Sequence, residues 1–141
     1  MKAIAAAMLA LLFAGCQGKR YAPTDVEDSD SCAFCRMAIS QRQFAAEIVD
    51  EEETAHKFDD IGCMLQFLKE KKGSLKPAAQ YVVDYDSRQW LAVEKAHFVR
   101  SAAIVTPMGG GIIAFSGAAR AKAAAEEREG ELISFGDLTA K

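Results

Sequence analysis

Two stretches of the chain carry the same succession of hydrophobic patterns, strand, strand, helix, strand, and this order restricts the fold more than any other feature. In the first stretch, residues 44–49 and 54–58 flank the acidic turn Asp50-Glu51-Glu52-Glu53, as in a hairpin. Ile61, Met64, Leu65 and Leu68 then fall at i, i+3, i+4 and i+7, one apolar stripe of a helix. Asp59 or Asp60 can cap it, and the lysine-rich run 69–72 with Gly73 ends it. Strands at 81–83 and, after a turn at 85–88, at 89–93 follow. In the second stretch, strands at 98–105 and 112–115 precede an alanine-rich helix over 117–129, with Gly130 placed to end it, and a last strand at 132–135. The expected architecture is α+β: two similar ββαβ units forming antiparallel sheet with two helices on it.

Half of the residues are hydrophobic (50%), enough to bury a core without help from disulfides. The formal net charge of −3 offers no basic face, so nucleic acid is not an expected partner.

The first residues read as a processing signal. Lys2 is a charged start, residues 4–13 form an apolar run too short to span a bilayer, and Ala14-Gly15 precede Cys16. Leu12-Phe13-Ala14-Gly15-Cys16 resembles the lipobox of bacterial lipoproteins. That resemblance implies a signal peptide over 1–15, lipid on Cys16, and a domain tethered to a membrane on the periplasmic side. Gln17, where inner-membrane lipoproteins of enteric bacteria carry aspartate, favours the outer membrane. An ordinary cleaved signal and a short anchor helix are the other readings. Residues 16–30, with Pro23 and an acidic run at 25–28, read as a flexible tether, leaving 31–141 as the folded domain.

With Cys16 acylated, Cys32, Cys35 and Cys63 remain, and an odd number of thiols cannot all pair in an oxidising compartment. The stretch Ser31-Cys32-Ala33-Phe34-Cys35-Arg36-Met37 concentrates sulfur at the entry to the domain. In an extended segment Cys35 and Met37 point to the same side, with Cys32 one short loop away. Thiolate with thioether suits Cu(I), whereas zinc prefers cysteine, histidine and carboxylate. A Cys32–Cys35 disulfide, or a buried Met37 beside one ordinary thiol, would account for the same residues. The acidic run beside the pair works against the lowered thiol pKa that disulfide reductases use.

Three further places can carry chemistry. Cys63 falls in the first turn of the expected helix, where it is either a small buried residue or a thiolate favoured by the helix N-terminus. The paired Asp59 and Asp60 suggest acid–base work or, more simply, a helix cap. In Thr106-Pro107-Met108-Gly109-Gly110-Gly111, Met108 is either tucked under a hairpin or held out as a second thioether on a loop that can approach a site closely. His56 and His97 lack a second histidine at ligand spacing and read as surface or partly buried residues.

Taken together, Cys35-Arg36-Met37 after a lipobox, Phe58-Asp59-Asp60-Ile61-Gly62, residues 83–90, Ala96-His97-Phe98-Val99 and the loop from Thr106 into Ile112-Ile113-Ala114-Phe115 resemble the NosL family. The resemblance implies a Cu(I) chaperone that is not an enzyme. Its expected partners are apo nitrous oxide reductase and a membrane transporter complex for copper-site maturation. It also implies a paired ββαβ fold similar to that of organomercurial lyase. The family's Cys-x-Met maps onto Cys35 and Met37, and its loop methionine onto Met108; Cys32 is an occasional fourth partner and Cys63 an additional candidate ligand. Arg36 stands where the family commonly has glycine. Two other classes fit the residues: a thiol–disulfide oxidoreductase using Cys32 and Cys35, and a general copper-handling or scaffold lipoprotein.

Overall fold

The computed structural model describes residues 19–140, so the signal, the lipobox and Cys16 lie outside the described residues. β1 (Ala46–Asp50) and β2 (Ala55–Phe58) form the expected hairpin. The Asp50 carboxylate closes its turn by accepting the backbone N–H groups of Glu52 and Thr54, both at 2.9 Å. After α1 (Ile61–Glu70), β3 (Pro77–Val83) returns along the other side of β1, and β4 (Trp90–Ala92) pairs with β3. The first sheet therefore has the order β2-β1-β3-β4. β5 (His97–Arg100), β6 (Ile112–Phe115), α2 (Ala118–Glu127) and β7 (Glu131–Ile133) follow, and the second sheet has the order β6-β5-β7. In both halves the first strand lies in the middle and the helix falls between the second and third strands. All strand pairs are antiparallel.

Several boundaries differ from those expected, each for a local reason. β5 stops at Arg100 because Ser101 turns the chain, its hydroxyl accepting from Ala103 N at 3.0 Å and donating to the Arg128 carbonyl. α2 ends with Glu129, not Gly130, in the left-handed region (φ 49°), and Gly130 N closes the turn onto Ala125 O at 2.8 Å. Gly130 is needed instead for close approach: a Cβ there would stand 2.7 Å from the Arg100 carbonyl oxygen. The last strand ends at Ile133, since Ser134 accepts from Asp137 N at 3.1 Å and caps a short helix, α3 (Phe135–Thr139).

Two clusters fill the interior. Ile61, Met64 and Phe67 of α1 are buried with Phe58, Ile48 and Val82 of the first sheet, and the Phe58 and Phe67 rings tilt against each other at 5.2 Å. Leu65 and Leu68 of the expected stripe are only partly buried. Ala121, Ala124 and Ala125 of α2 lie on Val99, Ile113 and Phe115, their small side chains letting the helix sit close to the sheet.

The segment from Tyr21 to Asp30, expected to be tether, is held on the domain. Glu47, Lys57 and Tyr81 form a row across three strands, and each is bonded to that segment. Thr24 donates its N–H and hydroxyl to the two Glu47 oxygens at 3.0 and 2.8 Å. Lys57 Nζ donates to Asp30 at 2.6 Å and to the Asp25 carbonyl, and Tyr81 donates to the Tyr21 carbonyl at 2.9 Å. Burial pushes the Glu47 carboxyl up, and the Thr24 bonds oppose that shift. A carboxylate in the middle of a sheet needs such partners, and the polar segment supplies them.

Asp84 joins the sheets. It bridges to Ala114, accepts from Asp86 N and Ser87 N at 3.0 and 2.8 Å on one oxygen, and takes Ser116 N on the other at 2.6 Å. Burial alone would raise its pKa, but the bonds from Ser87 and Ser116 together outweigh it and hold the carboxyl at about 2. A folded-state pKa below the ordinary value of 3.8 means stability that is present above about pH 4 and lost as pH falls toward 2. Urea titrations across that window should show a loss of roughly 2 kcal/mol from this group. In Asp84→Asn that part of the pH dependence should vanish.

Candidate metal centre

The sulfur-rich loop is closed by its own backbone. Ser31 bridges to Ala38, Cys32 N donates to Met37 O at 2.8 Å, and Arg36 N donates to Cys32 O at 3.0 Å. Ala33 N reaches the Lys57 carbonyl at 2.7 Å and pins the loop to β2. The segment is thus a tight turn and not the extended stretch that would set Cys35 and Met37 side by side. Arg36 takes φ 68° in that turn, a left-handed conformation that glycine adopts without cost. Arg36→Gly should therefore raise unfolding stability by about 0.5–1 kcal/mol, the relief of strain exceeding glycine's greater unfolded-state entropy. Denaturant unfolding checks this, and a destabilised variant would contradict the turn geometry.

Across from the loop, the start of α1 divides its two aspartates between two tasks. Asp60 is the cap, its Oδ1 accepting from Cys63 N at 2.8 Å. Its Oδ2 accepts from the Thr106 hydroxyl and from Met108 N, both at 2.9 Å. One buried carboxylate thus fastens the glycine-rich loop to the helix N-terminus. Gly62 and Gly110 make that approach tolerable: a Cβ on Gly62 would stand 3.3 Å from Gly110 Cα.

Asp59 faces the thiols instead. Cys35 Sγ donates to Asp59 Oδ2 at 3.4 Å, while Oδ1 is buried without a hydrogen-bond partner. The sulfur atoms of Cys32, Cys35 and Cys63 and one Asp59 oxygen all lie within 4.8 Å of one another. All three cysteines are free thiols. Cys32, Cys63 and Asp59 are buried and Cys35 is half-buried. Burial, then the neighbouring Cys32 and Asp59, push the Cys35 thiol up, against a lowering contribution from Met37 N–H. Burial and Asp59 push the Cys63 thiol up as well. These surroundings are the reverse of those that give disulfide reductases an acidic thiol.

The structure therefore brings Cys32 and Cys35 together with Cys63, which comes from the other side of the β1–β2 hairpin in sequence, and adds Asp59. Met37 and Met108 stand on the two loops that border the cluster, 60% and 46% exposed. At these exposures neither methionine belongs to the buried core. Neither histidine joins the cluster: His56 pairs with Asp50 at 2.9 Å, and His97 is exposed. The signal for Asp59 was present in the sequence, since a helix needs only one cap and two aspartates precede it.

No curated protein matches the chain. Among solved structures, the copper chaperone NosL from Shewanella denitrificans is similar, with a TM-score of 0.78 and 21% identity, covering 87% of this chain and 100% of that one. At that identity the likeness is one of fold. The family model for NosL matches residues 23–141, beginning inside the segment that Glu47 and Lys57 hold to the sheet. The chain belongs to the NosL family.

Proposed function

We propose that this protein is a lipid-anchored Cu(I) carrier, not an enzyme, which works on the periplasmic side and delivers copper to apo nitrous oxide reductase with a membrane transporter complex. Copper is its cargo. The observation that carries the reading is the placement of Cys35: it is the one thiol of the three with solvent access, and exposed methionines stand on both loops beside it. Family membership and a fold shared with a protein described as a copper chaperone support it. The common middle-strand order of the two halves further supports two ββαβ units of the organomercurial lyase kind.

In this reading Cys35 is the anionic ligand, and Met37 and Met108 are neutral thioethers. Soft sulfur donors select Cu(I). Two or three ligands at the surface leave a coordination position open, so an acceptor's thiolate or imidazole can enter before the donor's ligands leave. Copper then passes by ligand exchange and is never free. The lipid on Cys16 keeps the carrier beside the membrane-bound machinery.

The deciding experiment is an anaerobic Cu(I) titration of the reduced chain against a chromophoric competitor. One tight equivalent is expected, lost in Cys35→Ser and weakened about tenfold or more in Met37→Ala and Met108→Ala, since each removes one of three ligands. Binding indifferent to Cys35 would overturn the reading. Transfer from the loaded protein to apo nitrous oxide reductase tests delivery, and palmitate labelling lost in Cys16→Ala tests the anchor.

A further inference from the structure

As free chain, residues 16–30 would let the domain stand up to about 50 Å from a lipid on Cys16. Most of that length is instead fastened to the domain. Tyr21, Thr24, Asp25 and Asp30 are bonded across three strands, and Val26 is buried in the core. Lys19 Nζ donates to the Glu51 carbonyl at 2.6 Å, so the described chain begins beside the β1–β2 turn. Glu51 N donates to the Lys76 carbonyl at 3.1 Å, which sets the turn between α1 and β3 at the same end. From Cys16 to Lys19 there are only three residue steps, at most about 11 Å.

The candidate copper ligands lie at the opposite end of the same half, and two elements measure the separation. β1 runs back from Asp50 at the turn to Ala46, about 13 Å, and Ala46 pairs with Phe58, the residue before Asp59. α1 starts at Ile61, beside the thiol cluster, and reaches Glu70 about 15 Å away. Lys69, Lys71, Lys72 and Lys76 are exposed at and beyond its far end, with Lys19 and Arg20 on the adjoining chain. The exposed carboxylates there are Glu51, Glu52, Glu53 and Glu70, so six cations outnumber four anions on a chain whose net charge is −3.

With Cys16 held in a membrane, the short remaining chain keeps this end within reach of headgroup phosphates, at a distance comparable to the screening length of about 8 Å at physiological salt. Ammonium groups beside an anionic leaflet are attracted within that length. We propose that the β1–β2 turn and the last turn of α1 form a membrane-docking surface for phospholipid headgroups, an inference that rests on the lipid anchor proposed above. Lys71, Lys72 and Lys76 lie against the phosphates, and the loops carrying Cys35, Met37 and Met108 face away from the bilayer, open to an approaching partner. The segment from Tyr21 to Asp30 is then an orienting strap. By shortening the tether it replaces free tumbling with one presented face.

The test uses the lipidated protein in vesicles of phosphatidylethanolamine and phosphatidylglycerol that carry a dansyl-headgroup lipid. The chain has one tryptophan, Trp90, which pairs with Val83 at the copper end of the first sheet, since the neighbouring Val82 pairs with Ala46. Energy transfer from Trp90 to the headgroups should be weak. Moving the donor to the exposed turn, in Glu52→Trp combined with Trp90→Phe, should raise it several-fold. Joint Lys71→Glu, Lys72→Glu and Lys76→Glu should lower transfer from the turn and raise it from Trp90. A Gly-Ser insertion after Gly18, which alters no folded residue, should draw the two positions together. Equal transfer from both positions without the insertion, or more from Trp90, would overturn the proposal, and transfer indifferent to the lysine substitutions would overturn the phosphate contact. Failure of palmitate labelling would remove the anchor and this orientation together, whereas labelled protein with equal transfer would leave the anchor standing and sink the orientation alone.

Discussion

Replacing Gly111 with alanine should cost the protein about 2–4 kcal/mol, enough to lower its melting temperature by roughly 10 °C for a chain of this size. Two effects add. Gly111 has φ 64°, where a side chain costs about 1–2 kcal/mol, and its Cβ would stand 2.5 Å from the Ser101 carbonyl oxygen. That oxygen belongs to backbone, and Ser101 is itself tied back by donating its N–H to the Gly111 carbonyl at 2.9 Å. Neither side can yield alone. Gly109→Ala is the control: it has a similar φ of 71° but nothing within 4 Å of the added methyl, so about 1 kcal/mol is expected. Thermal and urea unfolding of both variants measure the difference. Equal losses would mean that the close approach of the loop to Ser101 carries no cost.

Asp60→Ala should lose about 3 kcal/mol and, with Met108 a ligand as proposed, weaken Cu(I) binding at the same time. The cap on Cys63 N contributes about 1 kcal/mol. The remainder comes from Thr106 and Met108, whose donors would be left without an acceptor in a site where Asp60 itself is 1% exposed. Losing that anchor frees the loop that carries Met108, so a tenfold weaker copper affinity is expected even though Asp60 is not a ligand. Asp60→Asn separates the two roles. Its carbonyl oxygen can still cap Cys63 N, but its amide would point a donor at the Met108 N–H, while the Thr106 hydroxyl can turn to accept. It should keep part of the stability and still lose affinity. An affinity unchanged in both variants would remove the loop methionine from the copper site.

Much of the secondary structure was legible because it is written in short-range patterns. The hairpin around Asp50, the cap before Ile61 and the alanine-rich helix each depend on residues within a few positions of one another, and each formed where expected. The misses have the same origin. Residues 132–135 look like a continuous strand, but Ser134 can bond to Asp137 N and begins a helix there. The polar run from Tyr21 to Asp30 looks like linker, because no local pattern shows that Glu47 presents a buried carboxylate and Lys57 a half-buried ammonium for it to satisfy.

The site divides along the same line. The sequence alone determined which residues could bind a soft metal: Cys32, Cys35 and Met37 are close in the chain, and Met108 is conspicuous on its glycine loop. Family resemblance named the ligands without placing them. Only the tertiary structure brought Cys63 and Asp59 to the first two thiols, because that meeting depends on Ala33 N finding the Lys57 carbonyl at the end of β2. Only it showed that the two aspartates have different duties, one bonded on both oxygens and the other left open to sulfur. Periodicity and capping act over a turn or a strand pair, so they can be read in order along a chain. A metal site acts through space, and its members are set by strand register and by which loops a buried carboxylate ties together.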